Sequence, residues 1–261
     1  MNLDKFTSNG KFLMLALDHR GSFKKLMNPK DPDSITDEQV IELKNEIIEA
    51  LKDEFSALLI DKIWGLEACH EVCQVKPFLL PLEKSSHTGV VEIEHSASEL
   101  KKLGASGAKI LIDFKPGDEN SGEQLEIATE VVADCMVAEF PLFLEIVTHN
   151  EDLVIESVKQ FLDEGIYPDV WKLEYPGSLG KCREITDIVG DTPWILLTGG
   201  ADFETFKANL ENATKGGAKG FLAGRALWQE VCTMGGEEKV KFLKEILSNR
   251  FKEVSEIISK S

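Results

Sequence analysis

Eight short apolar runs recur along the chain: FLMLALD (12–18), ALLID (57–61), FLLPLE (78–83), AKILIDF (108–114), PLFLEIV (141–147), DVWKLEY (169–175), PWILLTG (193–199) and GFLAG (220–224). They are nearly continuous rather than alternating, the pattern of parallel strands buried on both faces. Between them the period changes to three and four residues, as in 35–55, 95–104, 122–140 and 151–165, which predicts a helix after each strand. Thr36, Ser96 and Ser178 stand where helix N-caps belong, and Gly104 and Gly165 where helices should stop. The weakest unit is 62–77, where the helix must be short and Pro77 and Pro81 flank and interrupt the third strand. The last helix, about 236–259, is long and amphipathic, suited to closing a barrel or meeting another copy of the chain. Eight alternating units, with no G-x-G-x-x-G after the first strand, predict an α/β fold of the closed (β/α)8, or TIM barrel, type.

The 261 residues are what one such barrel needs, and no linker or composition break divides 1–261, so a single domain is expected. A formal net charge of -17, from 46 acidic and 29 basic side chains, argues against nucleic acid or anionic membranes as partners. No apolar leader or bilayer-length apolar run occurs, and the chain reads as cytoplasmic. Five cysteines, Cys69, Cys73, Cys135, Cys182 and Cys232, are scattered, and the expectation is that they are reduced and packed as small hydrophobes. Cys69 and Cys73 share a helix face near His70 but lack further ligands at metal-site spacing.

Charged residues interrupt or end the apolar runs on nearly every strand: Asp18, Asp61, Glu83, Lys109 with Asp113 and Lys115, Glu145, Lys172 with Glu174, and Arg225 after the last. Barrels of this kind carry their chemistry at the carboxyl ends of the strands, and such a ring needs mutual pairing or a ligand. Lys172 stands out, lodged mid-strand between Trp171 and Leu173. A neutral amine there can attack a ketone, form an imine and serve as electron sink for cleavage of the neighbouring carbon–carbon bond. Glu145 on the preceding strand suits proton relay, Asp18 suits deprotonation of a substrate hydroxyl, and Lys109 suits holding Asp18 ionised and contacting substrate oxygens. Alternatively, Lys172 and Glu145 form a purely structural ion pair.

LLTGGAD places Thr198, Gly199 and Gly200 before a helix, and FLAGRALW places Gly224 and Arg225 before another. Loop amides, a helix N-terminus and a guanidinium suit a phosphate dianion, although glycines also simply end strands. The segment 83–89 could carry a second contact through Lys84, Ser85 and His87, or be a solvated loop.

The set LALDHRG, AKILIDF, FLEIVT, VWKLEYPG, PWILLTGGADFETF and GFLAGRALW, in order and one per strand, resembles the class I aldolases related to tagatose-1,6-bisphosphate aldolase. Sulfofructose-phosphate aldolases and the deoxyribose-phosphate aldolase superfamily lie nearby. The resemblance runs from Leu15 to Trp228. It implies that Lys172 forms the Schiff base, Glu145 handles proton transfer, Lys109 is the second active-site lysine and Asp18 the first-strand aspartate. It further implies that Thr198, Gly199, Gly224 and Arg225 hold the phosphate of a dihydroxyacetone phosphate moiety. His19 stands where tagatose and sulfosugar members often carry glutamine, and the DHR triplet also resembles an aldolase-like domain of inositol catabolism acting on a deoxy-ketogluconate phosphate. The substrate is therefore a small sugar phosphate, with tagatose bisphosphate, sulfofructose phosphate and the deoxy-ketogluconate phosphate all open.

His70, His95 and His149 are isolated, with no H-x-H or H-E-x-x-H pairing, so neither a metal nor another cofactor is expected. Trp64 and Trp228, after strands two and eight, either line the mouth or pack behind it. Three functions compete on this scaffold: a Schiff-base aldolase, a phosphosugar isomerase or decarboxylase, the latter using an array such as Asp61 and Lys62, and a non-catalytic phosphosugar-binding protein.

Overall fold

The computed structural model describes residues 1–85 and 89–260. The apolar runs form eight parallel strands: β1 (Phe12–Leu17), β2 (Ala57–Ile60), β3 (Phe78–Pro81), β4 (Gly107–Asp113), β5 (Leu142–Val147), β6 (Val170–Leu173), β7 (Trp194–Leu197) and β8 (Gly220–Ala223). They are hydrogen-bonded in chain order and closed by β1 against β8, which makes the fold a (β/α)8 barrel.

The helices are α1 (Gly21–Met27), α2 (Asp37–Leu51), α3 (Gly65–Ala68), α4 (Ala97–Lys102), α5 (Ser121–Val137), α6 (Val154–Asp163), α7 (Leu179–Val189), α8 (Phe203–Lys215), α9 (Arg225–Trp228), α10 (Gly236–Lys241) and α11 (Ser248–Ser259). A π-helical segment, Phe242–Leu247, joins α10 to α11, so the predicted last helix is continuous. Thr36 and Ser96 cap α2 and α4 through reciprocal capping boxes, and Ser178 caps α7. The stretch between β2 and β3 is reduced to α3 and one 3-10 turn, as Pro77 and the short spacing predict. No helix among the described residues is long and apolar enough to cross a membrane.

Strand alternation sorts side chains into two layers. On β1, Phe12, Met14 and Ala16 fill the barrel interior with Phe143, Val170, Ile195 and Leu222, while Leu13, Leu15 and Leu17 pack outward among the helices. Phe6, from the segment before β1, joins this interior cluster, its ring 5.2 Å from that of Phe143. The same parity decides which charges face inward. Phe143 and Val170 are interior and register-paired, so Glu145 and Lys172, two residues further on, are both interior and again register-paired.

One expectation is corrected. Cys69 and Cys73 are joined in a disulfide rather than reduced, because the turn after α3 brings their Cα atoms to 5.5 Å, within bridging range. Cys135, Cys182 and Cys232 are free and buried.

Candidate active site

The carboxyl ends of the strands surround a cavity of about 420 Å3 whose wall includes Asp18, His19, Glu83, Lys84, Lys109, Glu145, Lys172, Thr198, Gly199, Gly224 and Arg225. Lys172 Nζ lies 2.7 Å from Glu145 Oε2, and both side chains are buried. Lys109 Nζ lies 3.2 Å from the same Glu145 oxygen, 3.2 Å from Asp18 Oδ2 and 2.6 Å from Glu83 Oε1. Two amines are therefore set among three carboxylates in the cavity wall, and Lys172 and Glu145 stand within proton-transfer distance of each other.

Each group is tuned by the others. Burial favours the neutral form of Asp18, but Lys109, His19 and Lys172 outweigh it and hold the carboxyl well below the usual range. Burial likewise opposes the charge on Glu145, which Lys172 and Lys109 keep ionised below its ordinary value. Burial works against the Lys109 ammonium too, yet Glu83, Glu145 and Asp18 together hold it well above the usual lysine range. His19 goes the other way. Burial, helped by Arg225, Lys44 and Lys172 and opposed by Asp18, pushes it down to about 4, so its ring is neutral near pH 7. The ring stands edge-on to Trp228 at 5.3 Å, and Trp228 is packed behind the mouth, its Nε1 donating to the Ala16 carbonyl.

On the far side, Gly199 and Gly200 turn the chain after β7 at φ of 57° and 80°, backbone positions that favour glycine. A side chain on Gly200 would meet the Arg225 guanidinium at 3.5 Å, so the loops after β7 and β8 converge there. Gly224 packs so closely that a Cβ would come within 3.3 Å of the Ala16 carbonyl and of the His19 ring. The first turn of α8 is already capped by Asp202, whose carboxylate accepts from Thr205 N–H, so an anion at this end must rely on the loops and Arg225. Lys84, at the rim, pairs with Glu92 at 2.5 Å, and His87 lies outside the described residues.

Further groups fix the loops around the mouth, and of these Arg20 and Lys44 are not singled out by sequence. Arg20 donates to the Glu83 carbonyl and to Glu94, tying the loop after β1 to the loop after β3. Glu174 accepts from Thr148 N–H and Oγ1 and from His149 N–H, fixing the loop after β5. At its tip His149 Nε2 meets Asp113 at 3.1 Å on the rim. Asp61 does not join the cavity. It pairs, fully buried, with Lys44 of α2 and accepts from the N–H groups of Ile63 and Trp64, and Trp64 packs against Lys44. Among the described residues no group of three or more His, Cys, Asp or Glu is arranged to hold a metal ion.

The family described as DeoC/LacD family aldolase matches residues 12–230. Tagatose 1,6-diphosphate aldolase 2 of Streptococcus pyogenes serotype M1 is 27% identical, over 98% of this chain and 92% of its own. Tagatose 1,6-diphosphate aldolase 1 of Streptococcus mutans serotype c is 29% identical, over 84% of this chain and 81% of its own. The fold is shared with an archaeal fructose-1,6-bisphosphate aldolase solved with its catalytic lysine covalently bound to the carbinolamine intermediate of the substrate. That match has a TM-score of 0.66 at 20% identity and covers 95% of this chain and 97% of the other.

Proposed function

Since this chain belongs to the DeoC/LacD family of aldolases and is a carbon–carbon lyase, we propose that it cleaves or forms a ketose phosphate or bisphosphate through an imine on Lys172, with dihydroxyacetone phosphate as one product. The observation that carries the reading is the contact of Lys172 Nζ with Glu145 Oε2 at 2.7 Å in the wall of a cavity that also holds Asp18 and Lys109. Lys172 gives a proton to Glu145 and attacks the ketone carbon as a neutral amine. Glu145 returns the proton to the carbinolamine hydroxyl, which leaves as water. Asp18, kept ionised by Lys109, takes the proton from the hydroxyl on the far carbon of the bond to be broken. The carbon–carbon bond breaks toward the iminium, the aldehyde departs, and protonation and hydrolysis of the enamine release the ketone product. The imine is the electron sink, so the proposal calls for neither a metal nor an organic cofactor.

Thr198, Gly199, Gly200, Gly224 and Arg225 hold the phosphate of the ketone half, with neutral His19 as a hydrogen-bonding neighbour. The tagatose-bisphosphate aldolase relatives favour a tagatose-1,6-bisphosphate-like ketose over sulfofructose phosphate or a deoxy-ketogluconate phosphate. A decarboxylase array of Asp61 and Lys62 has no support, since the Asp61 carboxylate is committed to Lys44 and two backbone amides. The test is cleavage of this substrate panel by wild type and Lys172→Met. The variant should keep the fold and lose turnover by at least about three orders of magnitude. Retained cleavage refutes the proposal.

A further inference from the structure

Two buried carboxylate oxygens in the cavity wall, Glu83 Oε2 and Glu145 Oε2, have no hydrogen-bond partner among the described residues, but Glu145 Oε2 is in ion contact with Lys172 and Lys109 whereas Glu83 Oε2 meets neither. Glu83 is 5% exposed and gives Oε1 to Lys109, but its Oε2 is buried without a hydrogen-bond partner among the described residues. Lys109 is shared with Asp18 and Glu145, and the nearby Arg20 is committed to the Glu83 carbonyl and to Glu94. Native proteins rarely leave a carboxylate oxygen buried and unpaired, so one in a cavity wall points to a donor brought by a ligand.

The barrel order says which part of a ligand that is. In the closed ring, β3 stands four strands from β7, across the mouth from Thr198 and Gly199. With the phosphate at the ends of β7 and β8 and the imine on β6, the carbons that leave as the aldehyde extend toward β3 and β4. We infer that Glu83 is a specificity-determining residue, whose Oε2 accepts a hydrogen bond from a hydroxyl on the aldehyde half and so selects hydroxyaldehydes over deoxy analogues. This rests on the imine reading of Lys172. A deoxy aldehyde leaves Oε2 unpaired, and sites that hydrogen-bond a hydroxyl discriminate strongly against its absence.

The test is condensation with dihydroxyacetone phosphate of two acceptors, glyceraldehyde and propanal, which differ only in hydroxyls, read as kcat/KM. Wild type should favour glyceraldehyde by about 10- to 100-fold. Glu83→Met should reduce that preference at least about tenfold, and Glu83→Gln, which keeps shape and a neutral partner, at least about threefold. If the Met variant does not fold, the Gln variant decides. A wild-type ratio near one, or variants that lose activity equally with both acceptors, would assign Glu83 to holding Lys109 alone and overturn the inference. Borohydride trapping of wild type with dihydroxyacetone phosphate reports the imine separately. Without an adduct the proposed function itself fails, whereas an adduct with an unchanged acceptor preference removes only the role of Glu83.

Discussion

Replacing Lys44 by Met tests how the loop bearing Asp18 and His19 is held. Lys44 and Asp61 are both fully buried. The three ammonium protons go to the Leu17 carbonyl at 2.8 Å, the His19 carbonyl at 2.9 Å and Asp61 Oδ2, so the cation ties both residues flanking Asp18 to α2 and to the end of β2. Asp61 Oδ1 keeps its own donors, Ile63 N–H at 2.9 Å and Trp64 N–H at 2.8 Å. Removing the amine leaves a buried carboxylate without its cation and two carbonyls without donors. Breaking such a pair costs about 3–5 kcal/mol. At about 2–4 °C per kcal/mol for a chain of this size, the thermal midpoint should fall by about 6–20 °C, followed by circular dichroism. Adding Asp61→Asn neutralises the stranded charge while keeping the acceptor for the two amides, and should recover about 1–2 kcal/mol of the loss. A midpoint within about 1 °C of wild type for Lys44→Met, or additive losses in the double variant, would refute this account.

Three further outcomes follow. His19 titrates at about 4 in the fold against about 6.5 unfolded, so its contribution is complete above 6.5 and is lost as the pH falls toward 4; His19→Asn should flatten denaturant stability over that window by up to about 3 kcal/mol. Arg225→Met should raise KM for phosphorylated substrate about 10- to 100-fold, with a smaller effect on kcat, and an unchanged KM would remove Arg225 from phosphate binding. Thiol titration of the denatured, unreduced chain should count Cys135, Cys182 and Cys232 alone, with Cys69 and Cys73 added after reduction. In the native protein those three should react slowly, because burial pushes each thiol up to about 12.

The strands were legible because a parallel barrel buries both faces of each strand, so every β-element leaves a continuous apolar run, and a charge inside such a run is conspicuous. Lys172, Glu145, Lys109 and Asp18 are conspicuous in that way, and their convergence on one cavity follows from strand parity. Glu83 was visible as a charge, but its orphaned oxygen depends on the placement of Lys109 and Arg20, which no spacing reveals. The alternation Leu79, Pro81, Glu83 was the available signal for its inward face. Lys44 left no signal, since a lysine on an amphipathic helix reads as solvated and its partner lies on β2's far end. The pairing of Asp61 is hidden for the same reason, being set by α2 rather than by the barrel mouth. The Asp202 cap of α8 was readable as an Asp three residues before Thr205, but the glycines ahead of it drew the helix end toward a phosphate reading. The Cys69–Cys73 bridge depends on how tightly α3 ends, which the four-residue spacing alone does not decide.

The most direct test of the account is borohydride reduction in the presence of dihydroxyacetone phosphate, followed by peptide mass analysis. One reduced adduct is expected, on the peptide carrying Lys172, and it should disappear in Lys172→Met. No adduct, or an adduct on Lys109 instead, would contradict it.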